Sequence, residues 1–155
     1  MTSDNTENQN EQIQIQPVED IYSRDWFLIE LIEDLASNNI EISITISIGG
    51  SIISGMLISG RKYFEEIALA VGSKSTQKGD ICDVISSVWK SKTSIYSKSE
   101  NSSEDFELGE INYIHLKDAR FHAPGQSSMP SGKGVLWRGK ISSIDGFFIG
   151  SFNVN

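Results

Sequence analysis

Few side chains in this sequence belong to the types that carry out chemistry. The two histidines, His115 and His122, lie seven positions apart on or beside one predicted strand. Residues an odd number of positions apart on a strand point to opposite faces, so we do not expect them to share a metal ion. Cys82 is the single cysteine, which excludes an intramolecular disulfide framework and a multi-thiolate zinc site. We expect all three side chains to be structural.

Two catalytic patterns are incomplete. Cys82 and His115 would need an orienting carboxylate and an oxyanion hole to act as nucleophile and base, and the sequence offers neither. The run Ser131-Gly132-Lys133-Gly134 lacks the first glycine and the final serine or threonine of a phosphate-binding loop. A β-hairpin is also predicted after it, where such a loop needs a helix. The sequence therefore predicts a protein that is not an enzyme and that holds no cofactor or metal.

Composition indicates a soluble protein of the cytoplasm. With 155 residues, 38% of them apolar and 22% charged, the chain is long enough for one domain with its own core. No apolar run approaches the roughly 18 residues of a membrane span, and no signal peptide is visible. The net charge of −8 argues against nucleic-acid binding. We expect neither a membrane nor a nucleic acid as partner.

The charge is unevenly distributed. Residues 1–20 hold five acids and no base, whereas residues 111–155 hold five bases against two acids. These two regions could attract each other within a molecule or between molecules, or both could simply be solvated surface. Self-association driven by charge is therefore one expectation.

The chain divides into a tail and a domain. Residues 1–18 are acidic, rich in Asn and Gln, and poor in large apolar side chains, so we expect them to be disordered. A single domain is expected over residues 21–155. It begins with a helix from an N-cap at Ser23 to about Ser37. The apolar face of that helix carries Phe27, Leu28, Leu31, Ile32 and Leu35.

The clearest strand pattern covers residues 40–48, where five isoleucines alternate with polar residues. Gly49-Gly50 then suits a two-residue turn into a second strand, residues 51–59. In this register Ile44 lies opposite Gly55. The second strand is apolar on both faces, so we expect it to be central in its sheet or covered by a helix.

Two further helices and a mobile insertion are expected in the middle of the chain. Residues 61–71 read as a helix that ends near Gly72. An amphipathic helix is expected to begin near Asp80, with its apolar residues on one face. That face carries Ile81, Val84, Ile85, Val88 and Trp89. The Ser-rich stretch around residues 90–110 is expected to be mobile.

The C-terminal third is predicted to be β structure. A strand is expected over residues 111–121, followed by a loop with two prolines. Asp145-Gly146 then suits the tight turn of a closing hairpin, in whose register Phe152 lies opposite Gly139. The fold class is therefore α+β, one small domain with about five antiparallel strands and two or three helices. A Sm-like barrel and a bent sheet are both compatible with this order.

The closing hairpin would also form a candidate contact surface. Arg138 and Lys140 share one face of their strand, with Phe147 and Ile149 predicted opposite or diagonal to them. Arginine and aromatic residues dominate the hot spots of protein interfaces, so these four residues are the predicted partner-binding site. The alternative is cross-strand packing, with the Arg and Lys stems covering apolar surface.

Three sequence blocks resemble a known family. In the run from Gly134 to Gly150, Trp137-Arg138-Gly139-Lys140-Ile141 is followed by Asp145-Gly146-Phe147-Phe148. The other blocks are Ile52-Ile53-Ser54-Gly55-Met56-Leu57-Ile58-Ser59 with Tyr63-Phe64, and Ile114-His115-Leu116-Lys117 with Ala119. From about Ile40 to Phe152, with a divergent middle, the chain resembles the gas vesicle accessory proteins called GvpU.

The resemblance implies a role rather than a reaction. It implies non-catalytic association with gas vesicles, the protein-walled buoyancy organelles, and an influence on how they cluster or are arranged in the cytoplasm. The shell protein or other gas vesicle proteins would then be partners, in addition to the self-association expected from the charge distribution. A chaperone-like assembly factor for the shell protein is the alternative. The family supplies no catalytic residues to carry over.

Overall fold

The computed structural model describes residues 24–96 and 111–152; the expected tail, residues 1–18, and most of the expected mobile insertion lie outside them. Three α-helices and five strands follow one another along the described chain. They are α1 (Trp26–Asn38), β1 (Ile42–Ile48), β2 (Ser51–Ile58), α2 (Gly60–Gly72), α3 (Ile81–Ser91), β3 (Tyr113–His122), β4 (Val135–Lys140) and β5 (Gly146–Ile149). Short 3-10 helices cover Lys92–Tyr96 and Ile141–Ser143.

The strands form one antiparallel sheet in the order β4-β3-β2-β1-β5. The predicted α+β class, with five antiparallel strands and three helices in one domain, is confirmed. The sheet remains open, with β4 and β5 as its two edges among the described residues. The Sm-like barrel considered for the sequence is therefore not formed.

The first hairpin follows the predicted register. Ile46 pairs with Ile53 and Ile44 with Gly55, and Gly49 and Gly50 make the turn at positive φ angles of 53° and 82°. β2 is also central, as its two apolar faces predicted, because β3 pairs with its other edge. Strict alternation and a two-glycine turn determined this register locally.

The predicted closing hairpin is wrong. β4 pairs with β3 and β5 pairs with β1, so the two strands lie at opposite edges of the sheet. The backbone N–H of Asp145 donates to the carbonyl oxygen of Ser47 at 2.9 Å, and its carboxylate accepts from the N–H of Gly49 at 2.6 Å. Asp145 therefore joins β5 to the turn between β1 and β2 instead of turning back onto β4.

The proposed contact of Phe152 with Gly139 is also wrong. The side chain of Trp137 lies over Gly139, whereas the ring of Phe152 lies 5.2 Å from that of His122, measured between centroids. Gly139 does have a side chain in the space of a Cβ, but it comes from the same strand.

One face of the sheet packs on α1. The side chain of Asp25, not Ser23, caps this helix, since it accepts from the N–H groups of Phe27 and Leu28. The helix contributes a buried stripe that includes Ile29, which the predicted face omitted. The core of this layer consists of Leu28, Ile29, Ile32, Leu35, Ile44, Ile46, Ile53, Leu57, Ile114, Leu116, Ala119 and Ile141.

The opposite face of the sheet is only partly covered. Helix α2 packs across β3, and the 3-10 helix Lys92–Tyr96 packs against α2. The remainder of this face carries Ser43, Ser54 and His122 beside an open cleft. One face of the sheet thus packs into an apolar core, whereas part of the other face is polar and lines an open cleft.

Candidate interaction surface

The four predicted partner-binding residues do not form one patch. Arg138 and Lys140 lie on edge strand β4, while Phe147 and Ile149 lie on edge strand β5, with three strands between them. The expected juxtaposition depended on the closing hairpin, and it is lost with that hairpin. The sheet therefore has a basic edge and an apolar edge.

At the basic edge, Arg138 is held by two aromatic neighbours. Its guanidinium carbon lies 3.5 Å above the centroid of the Tyr113 ring, and its Nε donates to His115 Nε2 at 3.2 Å. Lys140 lies opposite Tyr113 on the neighbouring strand and is exposed. Arg138 and Lys140 are both exposed, and the guanidinium of Arg138 is engaged in cross-strand contacts.

His115 is the centre of an aromatic cluster that secures α2 to the sheet. The side chains of Tyr63 and Phe64 from α2 and Tyr96 from the 3-10 helix surround its ring, at centroid distances of 4.9, 6.4 and 5.6 Å. His115 is 2% exposed. Burial, reinforced by the positive charge of Arg138, lowers the pKa of His115 to about 3. The imidazole is therefore neutral at physiological pH and acts as a packing group.

A charged link lies beside this cluster. The carboxylate of Glu41, just before β1, forms ion pairs with Lys62 of α2 and with Lys117 of β3. Hydrogen bonds from Lys117 and Lys62 lower the pKa of Glu41 below its ordinary value. These contacts join α2 to two strands, so α2 is a fixed part of the domain.

The apolar residues of α3, unlike the core residues of α1, are not fully buried. Asp80 caps the helix by accepting from the N–H of Asp83, and Ser86 donates to the carbonyl of Ala68 in α2. No α3 residue is fully buried. Three apolar side chains one and two turns apart remain open to solvent, and we call them the outer α3 face. They are Ile81 (70% exposed), Val84 (49%) and Val88 (50%).

The predicted amphipathic helix is present, but most of its apolar stripe is not covered. Only Ile85 and Trp89 of that stripe are half-buried. Leu69 of α2 and Ile95 of the 3-10 helix are also exposed, at 72% and 64%. Clustered exposed apolar side chains on an ordered helix are typical of protein-docking surfaces.

A polar cleft of about 830 Å³ lies on the partly covered face of the sheet. In its wall, Ser54 Oγ lies 2.6 Å from His122 Nε2, and His122 Nδ1 is buried with no hydrogen-bond partner among the described residues. Arg120 lines the cleft as well, but it is paired with Asp118. Among the described residues, no carboxylate is hydrogen-bonded to His122, so the Ser54–His122 pair has no orienting third group there.

The two histidines lie on one strand, but the prediction that they point to opposite faces is wrong. They pair with Ile58 and Ile52, which share one face of β2, because the register of β3 shifts between Leu116 and Ala119. Sequence reasoning also missed their partners. Ser54 meets His122, and Tyr96 meets His115, only because distant segments are brought together by the sheet and by α2. No local motif marks either pair. The exposure of the outer α3 face was also unforeseeable, because helical spacing identifies an apolar face without showing what covers it.

Across residues 24–96 and 111–152, no group of three or more His, Cys, Asp or Glu side chains is placed to hold a metal ion. No helix within these ranges is long and apolar enough to cross a membrane.

Comparison with known proteins identifies the family. Neither a curated protein nor a solved structure matches the chain. The family model described as "Gas vesicle protein GvpU-like" matches residues 25–152, which span all three helices and all five strands. The match includes the three blocks whose resemblance to GvpU was noted from the sequence. The chain belongs to the GvpU-like gas vesicle protein family.

Proposed function

We propose that this protein is a non-enzymatic gas vesicle accessory protein that associates with gas vesicles and influences how they cluster or are arranged. The family supports a gas vesicle role. The observation that supports binding rather than catalysis is the outer α3 face, where Ile81, Val84 and Val88 project from a well-capped helix. Docking of this face on the vesicle shell or on another vesicle protein would remove it from water.

The lysines near this face would add specificity. Lys74, Lys78 and Lys90 are exposed on α3 and on the segment before it, whereas Asp80 and Asp83 are occupied by hydrogen bonds from backbone N–H groups. A partner with an apolar stripe and an acidic rim would therefore complement this surface.

Flotation with isolated gas vesicles tests the association. Val88→Asp places a charge in the outer α3 face, and Ser87→Asp places the same charge on the neighbouring exposed residue. We expect the wild-type chain and Ser87→Asp to float with the vesicles, and Val88→Asp to lose at least tenfold of its bound fraction. Equal binding by both variants, with unchanged thermal midpoints, would contradict a role for this face.

The alternative is a chaperone-like assembly factor for the shell protein. The same exposed face suits transient contact with an apolar segment of an unassembled subunit. Persistent binding to finished vesicles supports the accessory role, whereas binding to soluble shell subunit alone supports the assembly factor. Both outcomes are measured in one experiment if flotation is paired with a pull-down of soluble subunit.

Self-association is the second part of the proposal. The acidic residues 1–20 of one copy would contact basic residues of the C-terminal region of another, with Lys140 and Arg138 on edge strand β4 as the proposed contacts. Phe147 and Ile149, on the other edge, are proposed to make separate apolar contacts. A protein bound to one vesicle would then meet a copy on the next, and many weak contacts would hold the two vesicles together.

A further inference from the structure

The polar cleft lies on the same face of the sheet as the aromatic cluster around His115, further along β3. Its floor includes the side chains of Ser54 on β2 and of Arg120 and His122 on β3. Its walls are the loop after β3, residues 125–128, and the chain after β5, residues 151–152. The volume of about 830 Å³ lies within the roughly 300–1,000 Å³ of small-molecule sites. The cleft is therefore large enough for a ligand of metabolite size.

One end of the cleft has more hydrogen-bond donors than the described chain uses. Arg120 has five N–H groups, and its two contacts are long, 3.4 Å to the carbonyl oxygen of Pro130 and 3.3 Å to Asp118. Across the described residues, Ser127 and Ser128 have no hydrogen-bond partner for their backbone N–H groups or their hydroxyls. A ligand at this end would meet a permanent positive charge beside two amide N–H groups and two hydroxyls.

Asp118 is the only acid among the described residues that line the cleft. Its Oδ1 accepts from the backbone N–H of Gly134 at 2.6 Å, in addition to the contact with Arg120. This carboxylate is thus bound to the chain just before β4, and it uses only part of the donors of Arg120. A guanidinium can bind a second anion through its remaining N–H groups. The excess of donors therefore favours an oxyanion as ligand.

The other end of the cleft is aromatic. The ring of Phe152 packs edge-on against that of His122, with 5.2 Å between the centroids, and Phe152 is 38% exposed. His122 Nδ1 is buried without a partner in the described chain, whereas buried polar atoms are normally hydrogen-bonded to protein, water or ligand. Arg120 and His122 are two positions apart on one strand, so their side chains lie about 7 Å apart on one face. An anionic group at Arg120 would thus place the rest of a small ligand beside these two rings.

We propose that this cleft binds a small phosphate ester. Its phosphate would lie on Arg120, Ser127 and Ser128, and its organic part would lie against His122 and Phe152. A phosphate presents more acceptor oxygens than a carboxylate, and these suit a planar guanidinium together with amide and hydroxyl donors. Inorganic phosphate alone would fill only a small part of the cleft. The site shares no residue with the outer α3 face, so the inference does not depend on vesicle binding.

Titration of the ¹⁵N-labelled full chain with inorganic phosphate and with phenyl phosphate, followed by NMR, tests the site. We expect saturable shifts of the Ser127 and Ser128 amides with both probes, while the β1–β2 amides stay unchanged. Phenyl phosphate should bind several times more tightly, because its ring gains contact with Phe152. Shifts that do not saturate, or that sodium chloride reproduces at equal ionic strength, would overturn the phosphate site. Equal affinities for the two probes would overturn the placement of the organic part.

Two pairs of variants locate the binding. Arg120→Gln should raise the Kd for phenyl phosphate about tenfold or more, since it removes charge-assisted hydrogen bonds. Arg61→Gln makes the same change on α2 and should leave the Kd nearly unaltered. Ser127→Asp places a negative charge in the exposed wall of the cleft and should abolish binding, whereas Ser131→Asp places it in the same loop outside the cleft. If Arg120→Gln does not fold, the serine pair decides, and equal binding by both serine variants would overturn the proposal.

Discussion

Helices α1 and α3 carry the same kind of apolar stripe and use it in opposite ways. The stripe of α1 packs against the sheet, and Leu28 is fully buried. That of α3 leaves Ile81, Val84 and Val88 in solvent. The first stripe therefore holds the domain together, and the second is available for a partner. Helical periodicity reports that a face is apolar, and only the fold determines whether that face is already covered.

The largest expected difference is in stability. Leu28→Ala should lower the free energy of unfolding by about 2–5 kcal/mol, since it leaves a cavity in the core. Val84→Ala, at a half-exposed site on α3, should change it by no more than about 0.5 kcal/mol. Urea denaturation of both variants measures the contrast. Similar losses would mean that the α3 stripe is covered in the folded protein.

A second contrast compares the two faces of the sheet. A Cβ at Gly55 would lie 3.1 Å from the carbonyl oxygen of Lys117, and one at Gly139 would overlap the ring of Trp137. Both glycines are on the face covered by α1. Gly55→Val and Gly139→Val should each cost about 1–3 kcal/mol through overpacking. Ser47→Val, on the opposite face, should cost less than half as much in the same denaturation assay, and equal costs would contradict the pairing.

The third expectation concerns the attachment of α2 through His115. Its folded-state pKa of about 3 lies below the ordinary value of 6.5, so in between the unfolded chain binds the proton and the folded chain does not. Stability is therefore complete above pH 6.5 and falls as the pH is lowered toward 3, by up to about 1.4 kcal/mol per pH unit. Denaturation between pH 7 and 5, above the range of most carboxyl groups, should show this slope.

His115→Gln is the matching variant, because its side chain does not titrate. The variant should be less stable at pH 7, and its stability should change less with pH over the same range. An identical slope in wild type and variant would show that His115 is not the group responsible.

The smallest effect is expected for weak association between copies. Light scattering should show self-association at low salt that declines as salt is added, because exposed charges are screened over roughly 8–10 Å at physiological ionic strength. Lys140→Glu should weaken it, and Lys90→Glu, which makes the same change on α3, should leave it nearly unaltered. Association that salt leaves unchanged or strengthens would favour an apolar contact, such as one through the outer α3 face.

Local patterns predicted this fold well where the structure itself is local. The alternating isoleucines and Gly49-Gly50 determine the β1–β2 register, and the helical stripe places α1. The Asp145-Gly146 turn signal failed because pairing with a distant strand outweighed it. Ile141 is buried in the core and Asp145 is bonded to the first turn, so the chain crosses to the other edge of the sheet. No spacing within the C-terminal segment indicates that crossing.

The interaction surface was less predictable for the same reason. Arg138, Lys140, Phe147 and Ile149 were selected as neighbours across a hairpin, and their separation follows from the strand order alone. The outer α3 face was identified as apolar, but helical spacing did not show whether another segment covers it. In both cases the residue types indicated a surface or an apolar face correctly. The sequence did not show which distant segment packs against those residues.

The pairing of β5 with β1 also affects how the protein is made. Thr45 Oγ1 donates to the carbonyl oxygen of Gly150, a contact between residues 105 positions apart. β1 therefore gains its second neighbour only after β5 has been synthesised and has left the ribosome. Until then, an isoleucine-rich strand is left with one open side. The order of the sheet thus makes the synthesis of β5 a requirement for shielding that strand.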